Sequence, residues 1–246
     1  MLNRNLSYDI IIPVLNEEKR LETGVTSILS YFKTIQLEKF TITIADNGST
    51  DRTKLIADVL SMQNPNVKSL SVGKKGVGLA LKTAWAQSSA DIIGYMDVDL
   101  ATDITHFQDV ISIFEMSAKD IVNGSRNLPD SIVLNRSALR TITSLGFNKI
   151  LQFFLNVHFT DGMCGFKFLR NDAYKKIYNL GIENDGWFFC TELLYIAEKN
   201  GFNIQEIPIK WTDDGDSRVQ LTKTIVYYLK EIFKLRFRKS KGLRNV

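Results

Sequence analysis

The chain has 246 residues, of which 44% are hydrophobic, and this fits one full-sized α/β domain with a sizeable core. Its apolar runs are much shorter than the roughly 18 residues of a transmembrane helix, so none is predicted. Cys164 and Cys190 lie outside any C-x-x-C pattern, which argues against a disulfide framework or a structural zinc site and predicts reduced thiols. The segment from Met1 to Pro13 lacks the apolar stretch of a signal peptide, so we expect a cytoplasmic protein.

The net charge of +4 is concentrated at the C-terminal end of the chain. Residues 230–246 contain seven lysines and arginines and one glutamate, a net +6, which leaves −2 for the other 229 residues. A basic tail on a slightly acidic body, without a recognition motif, argues against nucleic-acid binding.

The first hundred residues alternate between predicted strands and helices. The four strands are Tyr8–Val14, Thr41–Ala45, Val67–Val72 and Asp91–Met96. Between them, apolar residues recur at helical spacing, and Asn16 is expected to cap the first helix. This alternation is typical of an α/β fold with a mostly parallel sheet and helices on both faces, which binds ligands at the carboxyl ends of its strands.

The second half of the chain is less regular. We predict strands at 120–124, 166–169 and 204–209, and helices at 135–155, 191–199 and 221–237. The last helix combines a wide apolar stripe with a basic end, a pattern typical of a helix lying on an anionic membrane surface. A core or dimer helix with a solvated tail is the alternative. The helix at 135–155 could be a second membrane-facing surface, although core packing is favoured there. We therefore divide the chain into a domain at 1–219 and an amphipathic helix with basic tail at 220–246.

Asp97 and Asp99 directly follow the fourth predicted strand. Two carboxylates at positions i and i+2 can reach one hard cation, which predicts Mg²⁺ or Mn²⁺. Such an ion can bridge two phosphates and neutralise a departing nucleoside diphosphate. A solvated turn is the alternative, but the position at a strand end favours the metal site.

A glycine loop with Gly76 and Gly78 follows the third strand and could be mistaken for a dinucleotide-binding fingerprint. Leu81 occupies the position of the third glycine, however, and the first strand is followed by a turn without glycine. We therefore reject a dehydrogenase.

Four motifs in this order resemble glycosyltransferase family 2. They are Pro13-Val14-Leu15-Asn16-Glu17, Ala45 to Asp51, Gly76 with Gly78, and Asp97-Val98-Asp99. Over residues 8–215 the chain is most similar to members that make polyprenyl-phosphate sugars, the dolichyl-phosphate mannosyl- and glucosyltransferases. That closer match is carried by Gly124-Ser125-Arg126, Asp161, Gly165-Phe166-Lys167, Glu192-Leu193-Leu194 and Ile207 to Trp211. The resemblance implies a GT-A fold and an inverting, metal-dependent transfer of a hexose from a nucleotide sugar, expected to be UDP-linked.

The resemblance also implies roles for individual residues. The nucleotide-sugar pocket would be formed by Pro13, Asn16, Glu17, Asp46, Gly76, Gly78 and Asp97, with Ser217 and Arg218 near the donor diphosphate. Asp97 and Asp99 would hold the metal. Asn47 replaces the second acid that the family usually has, which puts in doubt how the nucleotide is held. Ala101 cannot ligate metal as a glutamine often does in mannosyl members, which favours a glucosyl-type enzyme.

The acceptor is predicted to be a polyprenyl phosphate, which needs cations to position it rather than a base. Those cations would be Arg126, Arg136, Arg140 and Lys167, since arginine binds phosphate oxygens bidentately. If the acceptor were a saccharide hydroxyl, Asp161 or Glu192 would be the base.

Two alternatives stay open: polysaccharide synthesis on a hydroxyl acceptor, and a non-catalytic membrane-associated scaffold that retains the fold. We expect a protein peripherally bound at the cytoplasmic membrane face, with a membrane protein partner or a second copy of the chain as further candidate partners.

Overall fold

The computed structural model describes residues 6–213 and 221–238. The strands are β1 (Tyr8–Val14), β2 (Phe40–Asp46), β3 (Val67–Ser71), β4 (Ile92–Met96), β5 (Ile121–Ser125), β6 (Ile132–Leu134), β7 (Phe166–Arg170), β8 (Ile204–Pro208) and β9 (Lys210–Thr212). Within the described residues, a seven-stranded sheet has the order β3-β2-β1-β4-β7-β5-β8, and β6 pairs with β9 in a second, small sheet.

The helices are α1 (Leu21–Thr34), α2 (Thr53–Gln63), α3 (Val77–Gln87), α4 (Phe107–Met116), α5 (Ala138–Leu155), α6 (Asn171–Asn179), α7 (Phe189–Lys199) and α8 (Leu221–Phe237). A short 3₁₀ helix, Ile104–His106, precedes α4. The last helix has the predicted bounds, whereas α6, β6 and β9 were not predicted from the sequence.

The main sheet is covered on both faces, as its sequence pattern predicted. Successive side chains of a strand point to opposite faces, and Ile10, Ile11 and Ile12 of β1 are all fully buried. Ile10 and Ile12 pack with residues of α1, α2 and α4, and Ile11 packs with residues of α3 and of α5 to α8. The sheet is mostly parallel, and the exception is β7, which runs antiparallel between β4 and β5.

The prediction that Asn16 caps the first helix is wrong. The helix α1 begins at Leu21, after an intervening turn. Asn16 has a left-handed backbone, with φ of 57°, and its side-chain oxygen accepts a hydrogen bond from the Thr50 amide at 2.8 Å. Asparagine tolerates this conformation better than most residues. Its side chain therefore joins two loops at the sheet edge instead of starting a helix.

Helices α5 and α8 pack against each other, with the rings of Phe147 and Tyr228 5.2 Å apart. Each helix buries one side, as Leu151 on α5 and Ile232 on α8 show. Each helix also exposes apolar side chains, and we call the surface that they form the outer face. Its residues are Leu139, Ile142, Leu145 and Phe153 on α5, and Val226, Leu229, Phe233 and Phe237 on α8. The expectation that core packing accounts for α5 is thus only half correct. In the part of the chain that the structure describes, each helix is too short or too polar to cross a membrane.

The glycine at position 94 on β4 is required by the packing of the core. A Cβ there would lie 2.0 Å from the Phe168 ring, which is buried against the Phe107 and Phe166 rings. We expect Gly94→Ala to lower the free energy of unfolding by about 1–3 kcal/mol, since overpacking forces buried rings to move. Urea denaturation followed by circular dichroism measures the change.

Gly146→Ala is the matched control, because no atom lies within 4 Å of a Cβ at this exposed position of α5. Alanine should raise stability there by up to about 1 kcal/mol, as expected for a helix interior. Equal unfolding midpoints for Gly94→Ala and wild type would contradict the packing.

Candidate functional site

The acid loop, residues 97–103, leaves the carboxyl end of β4. It turns sharply at Leu100, which has a φ of 52°, and the Ala101 amide donates a hydrogen bond to the Asp99 carboxylate at 3.0 Å. The Asp97 carboxylate lies against Gly165, where a Cβ would come within 1.9 Å of an Asp97 oxygen. Only glycine, which has no side chain, leaves room at position 165 for the Asp97 carboxylate. We call this space the Gly165 cradle.

Several predicted site residues affect the pKa of Asp97. Burial and the neighbouring Asp99 carboxylate raise the pKa of Asp97 to about 7, Glu17 adds to this, and the Arg126 charge opposes it. The structure therefore brings the turn after β1, the acid loop and the end of β5 together, as predicted. Crowded carboxylate oxygens that repel each other suit a hard divalent cation, so the residues present fit Mg²⁺ or Mn²⁺.

The turn after β1 and the loop after β2 are hydrogen-bonded to each other. The Asn16 amide donates to Ser49 at 2.9 Å and the Glu17 amide donates to Thr53 at 2.8 Å. Asp46 is 3% exposed and accepts from the Ser49 amide at 3.0 Å. Since β1 and β2 end in register with Val14 beside Asp46, the residues predicted for the nucleotide pocket, including Pro13, lie along one edge.

Asn47 and the glycine loop complete this edge. The side-chain oxygen of Asn47 accepts from the Gly76 amide at 3.3 Å, so the residue that departs from the family pattern links two loops. A Cβ on Gly76 would lie 2.6 Å from the Asp185 carbonyl, and one on Gly78 would lie 2.6 Å from the Phe189 Cβ. The two glycines are therefore explained by close packing against the segment before α7.

Arg126, at the end of β5, forms a bidentate ion pair with Asp161. The two nitrogen–oxygen distances are 2.7 and 2.9 Å, and Asp161 is fully buried. Burial alone would raise the pKa of Asp161, but the Arg126 charge and hydrogen bonds outweigh burial and lower it. Asp161 is thus an ionised structural partner of Arg126, which corrects its prediction as a general base.

Arg136 and Arg140 lie close to Arg126 at the start of α5. The guanidinium carbons of Arg126 and Arg136 lie 5.4 and 5.5 Å from the centre of the Trp211 ring. Arg140 forms an ion pair with Asp213. The Arg136 Nε is buried and makes no hydrogen bond within the described residues, and burial together with the Arg126 charge lowers the pKa of Arg136 to about 10. Among the described residues, three arginines therefore share two carboxylates, which leaves one positive charge for an anion.

Lys167 does not join these arginines, which corrects its predicted contact with an acceptor phosphate. Its side chain is fully buried on β7, donates to the side-chain oxygen of Asn123, and has a pKa lowered by burial. Asn123 in turn donates to the Asp161 carbonyl at 3.0 Å and to Glu206 at 2.9 Å. Through Asn123, Lys167 thus stabilises the backbone at Asp161, the partner of Arg126.

Glu192 on α7 also has structural partners, which corrects its prediction as a base. It is 3% exposed and accepts hydrogen bonds from the amides of Glu183 and Asn184 and from Arg238. These contacts join the segment before α7 to the end of α8. The predicted donor residues Ser217 and Arg218 lie outside the described residues.

Comparison with known proteins gives the family. The model of glycosyl transferase family 2 matches residues 9–178. The chain belongs to glycosyltransferase family 2. It is 31% identical to a dolichyl-phosphate beta-glucosyltransferase of Dictyostelium discoideum, over 98% of this chain and 77% of that protein. It is 29% identical to glycosyltransferase AglD of Haloferax volcanii, over 90% of this chain, but spans only 35% of that longer protein.

The fold is also that of a solved glycosyltransferase structure. A glucosyl-3-phosphoglycerate synthase from Mycobacterium tuberculosis, solved with Mn²⁺, UDP and phosphoglyceric acid, superposes with a TM-score of 0.68 at 15% identity. The match covers 94% of this chain and 78% of that one. The family 2 glycosyltransferase described here therefore has a GT-A fold.

The sequence analysis did not assign a role to two residues of the site, Trp211 and Asp213. The motif that ends in Trp211 was noted without a role, yet its indole ring lies beneath two arginines. Asp213, the partner of Arg140, was not noted. Acidic and aromatic residues just after the last strand of the sheet were the available signal.

The Gly165 cradle gives a direct test of the acid loop. In Gly165→Ala, the new methyl group must displace the Asp97 carboxylate, a side chain that can move without unfolding the protein. We expect Mn²⁺-dependent binding of UDP to weaken about 10–100-fold, as when a group that orients a metal ligand is altered. Isothermal titration calorimetry measures the affinity, with Gly146→Ala as the control. Wild-type affinity in Gly165→Ala would show that Gly165 does not position Asp97 for binding.

Proposed function

We propose that this glycosyltransferase transfers glucose from UDP-glucose to a polyprenyl phosphate at the surface of a membrane. The observation that carries the proposal lies among Arg126, Arg136 and Arg140, at the same edge of the sheet as the acid loop: two carboxylates of the described residues pair with these three arginines, which leaves one positive charge. Arginine binds phosphate oxygens in a fixed, bidentate geometry. The names of several relatives, dolichyl-phosphate beta-glucosyltransferases at 26–31% identity, support both the sugar and the acceptor.

On the donor side, Asp97 and Asp99 would hold Mg²⁺ or Mn²⁺ against the diphosphate. The described residues contain no group of three or more histidines, cysteines or acids arranged to bind a metal. In our proposal the donor phosphates and water supply the remaining ligands. Once bound, the ion supplies charge neutralisation for the departing UDP.

A phosphate acceptor needs no enzyme base. Its second pKa is about 6, so it is largely a dianion at neutral pH and already a nucleophile. One of its oxygens forms a bond to the anomeric carbon while the bond from that carbon to UDP breaks, and UDP leaves with the electron pair. Attack from the side opposite UDP inverts the anomeric centre. This chemistry agrees with the pairing of Asp161 and Glu192, neither of which is needed to accept a proton.

Arg136 is the sharpest test of this function. In Arg136→Met, the acceptor loses the cation that is not committed to a carboxylate, and one charge-assisted hydrogen bond contributes about 1.5–3 kcal/mol. We therefore expect the KM for dolichyl phosphate to rise about 10–100-fold, while the KM for UDP-glucose stays near wild type. Transfer of labelled glucose into the organic phase measures both constants.

Lys175→Met, which removes an exposed cation on α6, is the control and should behave as wild type. Excess chelator should stop transfer by the wild-type enzyme, and full activity in chelator would overturn the metal site. An unchanged acceptor KM in Arg136→Met would overturn the phosphate site.

We further propose that the outer face of α5 and α8 lies on an anionic lipid bilayer. Its apolar residues on α8, at positions 226, 229, 233 and 237, follow helical spacing on the side away from buried Ile232 and Leu235. Lys230 and Arg236 are exposed on the same helix. An apolar stripe with flanking cations suits the interface of an anionic membrane, where each cation contributes about 1 kcal/mol.

Sedimentation with vesicles containing phosphatidylserine tests this surface. The double variant Phe233→Asp/Phe237→Asp should lose most of the vesicle-bound fraction, because two charges would have to enter the interface. The matched control, Leu55→Asp/Met62→Asp, changes two residues that are 60% and 85% exposed on α2 and should sediment as wild type. If the wild-type protein does not bind vesicles and elutes as a dimer, the lipid surface is contradicted, and the outer face is then better explained as the contact with a second copy of the chain.

A further inference from the structure

Strand β9 lies between the acid loop and the acceptor arginines. On one side, Trp211 forms a backbone bridge with Thr102, and the Thr212 amide donates to the Ala101 carbonyl at 2.8 Å. The Asp103 amide donates to the Lys210 carbonyl at 2.9 Å. The acid loop is thus fixed to β9 over several consecutive residues.

On its other side, β9 is fixed to the segment that leads into α5. Val133 pairs with Trp211 and Leu134 pairs with Thr212 in parallel register. The Asp213 amide donates to the Leu134 carbonyl at 3.0 Å, just before the turn that leads to Arg136 and Arg140. One short strand therefore joins the loop that carries the two acids to the chain that carries two of the arginines.

The side chains of β9 and of Asp213, the residue after it, make the same connection. The Trp211 ring contacts the guanidinium groups of both Arg126 and Arg136, and Asp213 pairs with Arg140. Arg126 also has Asp161 as a bidentate partner, whereas the buried Arg136 Nε makes no hydrogen bond in the described residues. The indole face, which carries partial negative charge, therefore contacts and stabilises the Arg136 guanidinium.

We propose that Trp211 is a positioning residue that sets the place of Arg136 relative to the acid loop. It acts through the arginine and need not contact either substrate. Because a displacement of reacting groups by about 1 Å can slow a reaction about 100-fold, a shift of this arginine would reduce both acceptor binding and turnover. The proposal rests on the function proposed above, since it assigns Arg136 to the acceptor.

Kinetics of Trp211→Leu and Trp211→Phe test the proposal. Leucine keeps an apolar side chain but lacks a π face, so the acceptor KM should rise about 10-fold and kcat should fall, with the UDP-glucose KM within about twofold of wild type. Phenylalanine restores an aromatic face and should recover most of the loss. Trp187→Leu, at a tryptophan that is 44% exposed beside α7, is the control and should leave all constants unchanged.

A double-mutant cycle separates positioning from a structural role. If Trp211 acts through Arg136, the variant Trp211→Leu/Arg136→Met should have the same acceptor KM as Arg136→Met alone. Additive effects would overturn the proposal, as would a fall in kcat with both KM values unchanged, which is the result of partial unfolding. Transfer by the wild-type enzyme tests the proposed function separately. If it uses a saccharide hydroxyl instead, the same cycle with that acceptor decides the role of Trp211.

Discussion

The buried ion pair between Arg126 and Asp161 is the constraint on which the proposed acceptor side of the site depends. A fully buried carboxylate needs a partner, and removing one member of such a pair typically costs about 3–5 kcal/mol. Arg126 is committed to this role, so its guanidinium is fixed in place against the Trp211 ring. The charge left for a ligand is then that of Arg136. The network of Lys167 and Asn123 behind Asp161 stabilises the same arrangement from the interior of the sheet.

The proposed donor side of the site carries the opposite charge. Asp97 lies in a cradle formed by Gly165, and burial together with the nearby Asp99 carboxylate raises the pKa of Asp97 to about 7. A site that concentrates negative charge on one loop and leaves a positive charge on the facing arginines is suited to a reaction between two phosphorylated substrates. The metal would offset the diphosphate of one substrate, and the arginine would offset the phosphate of the other. Strand β9 connects the two halves through backbone hydrogen bonds.

The sequence was sufficient for what depends on local pattern. Buried strands, helical spacing and the place of Asp97 after β4 follow from residues close together in the chain, and they predicted the sheet and the edge at which the candidate site lies. The sequence was insufficient where contacts between distant segments determine the conformation, burial or pairing of a residue. Asn16 adopts a left-handed conformation because it bonds to a loop 34 residues away. Lys167 is buried because β7 inserts antiparallel into a sheet covered on both faces, and Asp161 is paired because it meets an arginine 35 residues away.

The central claim is that the acceptor group is a phosphate and that no enzyme base is required. Initial rates of glucose transfer from UDP-glucose to a polyprenyl phosphate and to the matching polyprenol, at equal chain length and in the same detergent, test it most directly. Transfer to the phosphate, with the alcohol at least about 100-fold slower, is the predicted result, because the alcohol offers Arg136 no anion to bind. Comparable rates with the two acceptors, or transfer to the alcohol alone, would contradict the account.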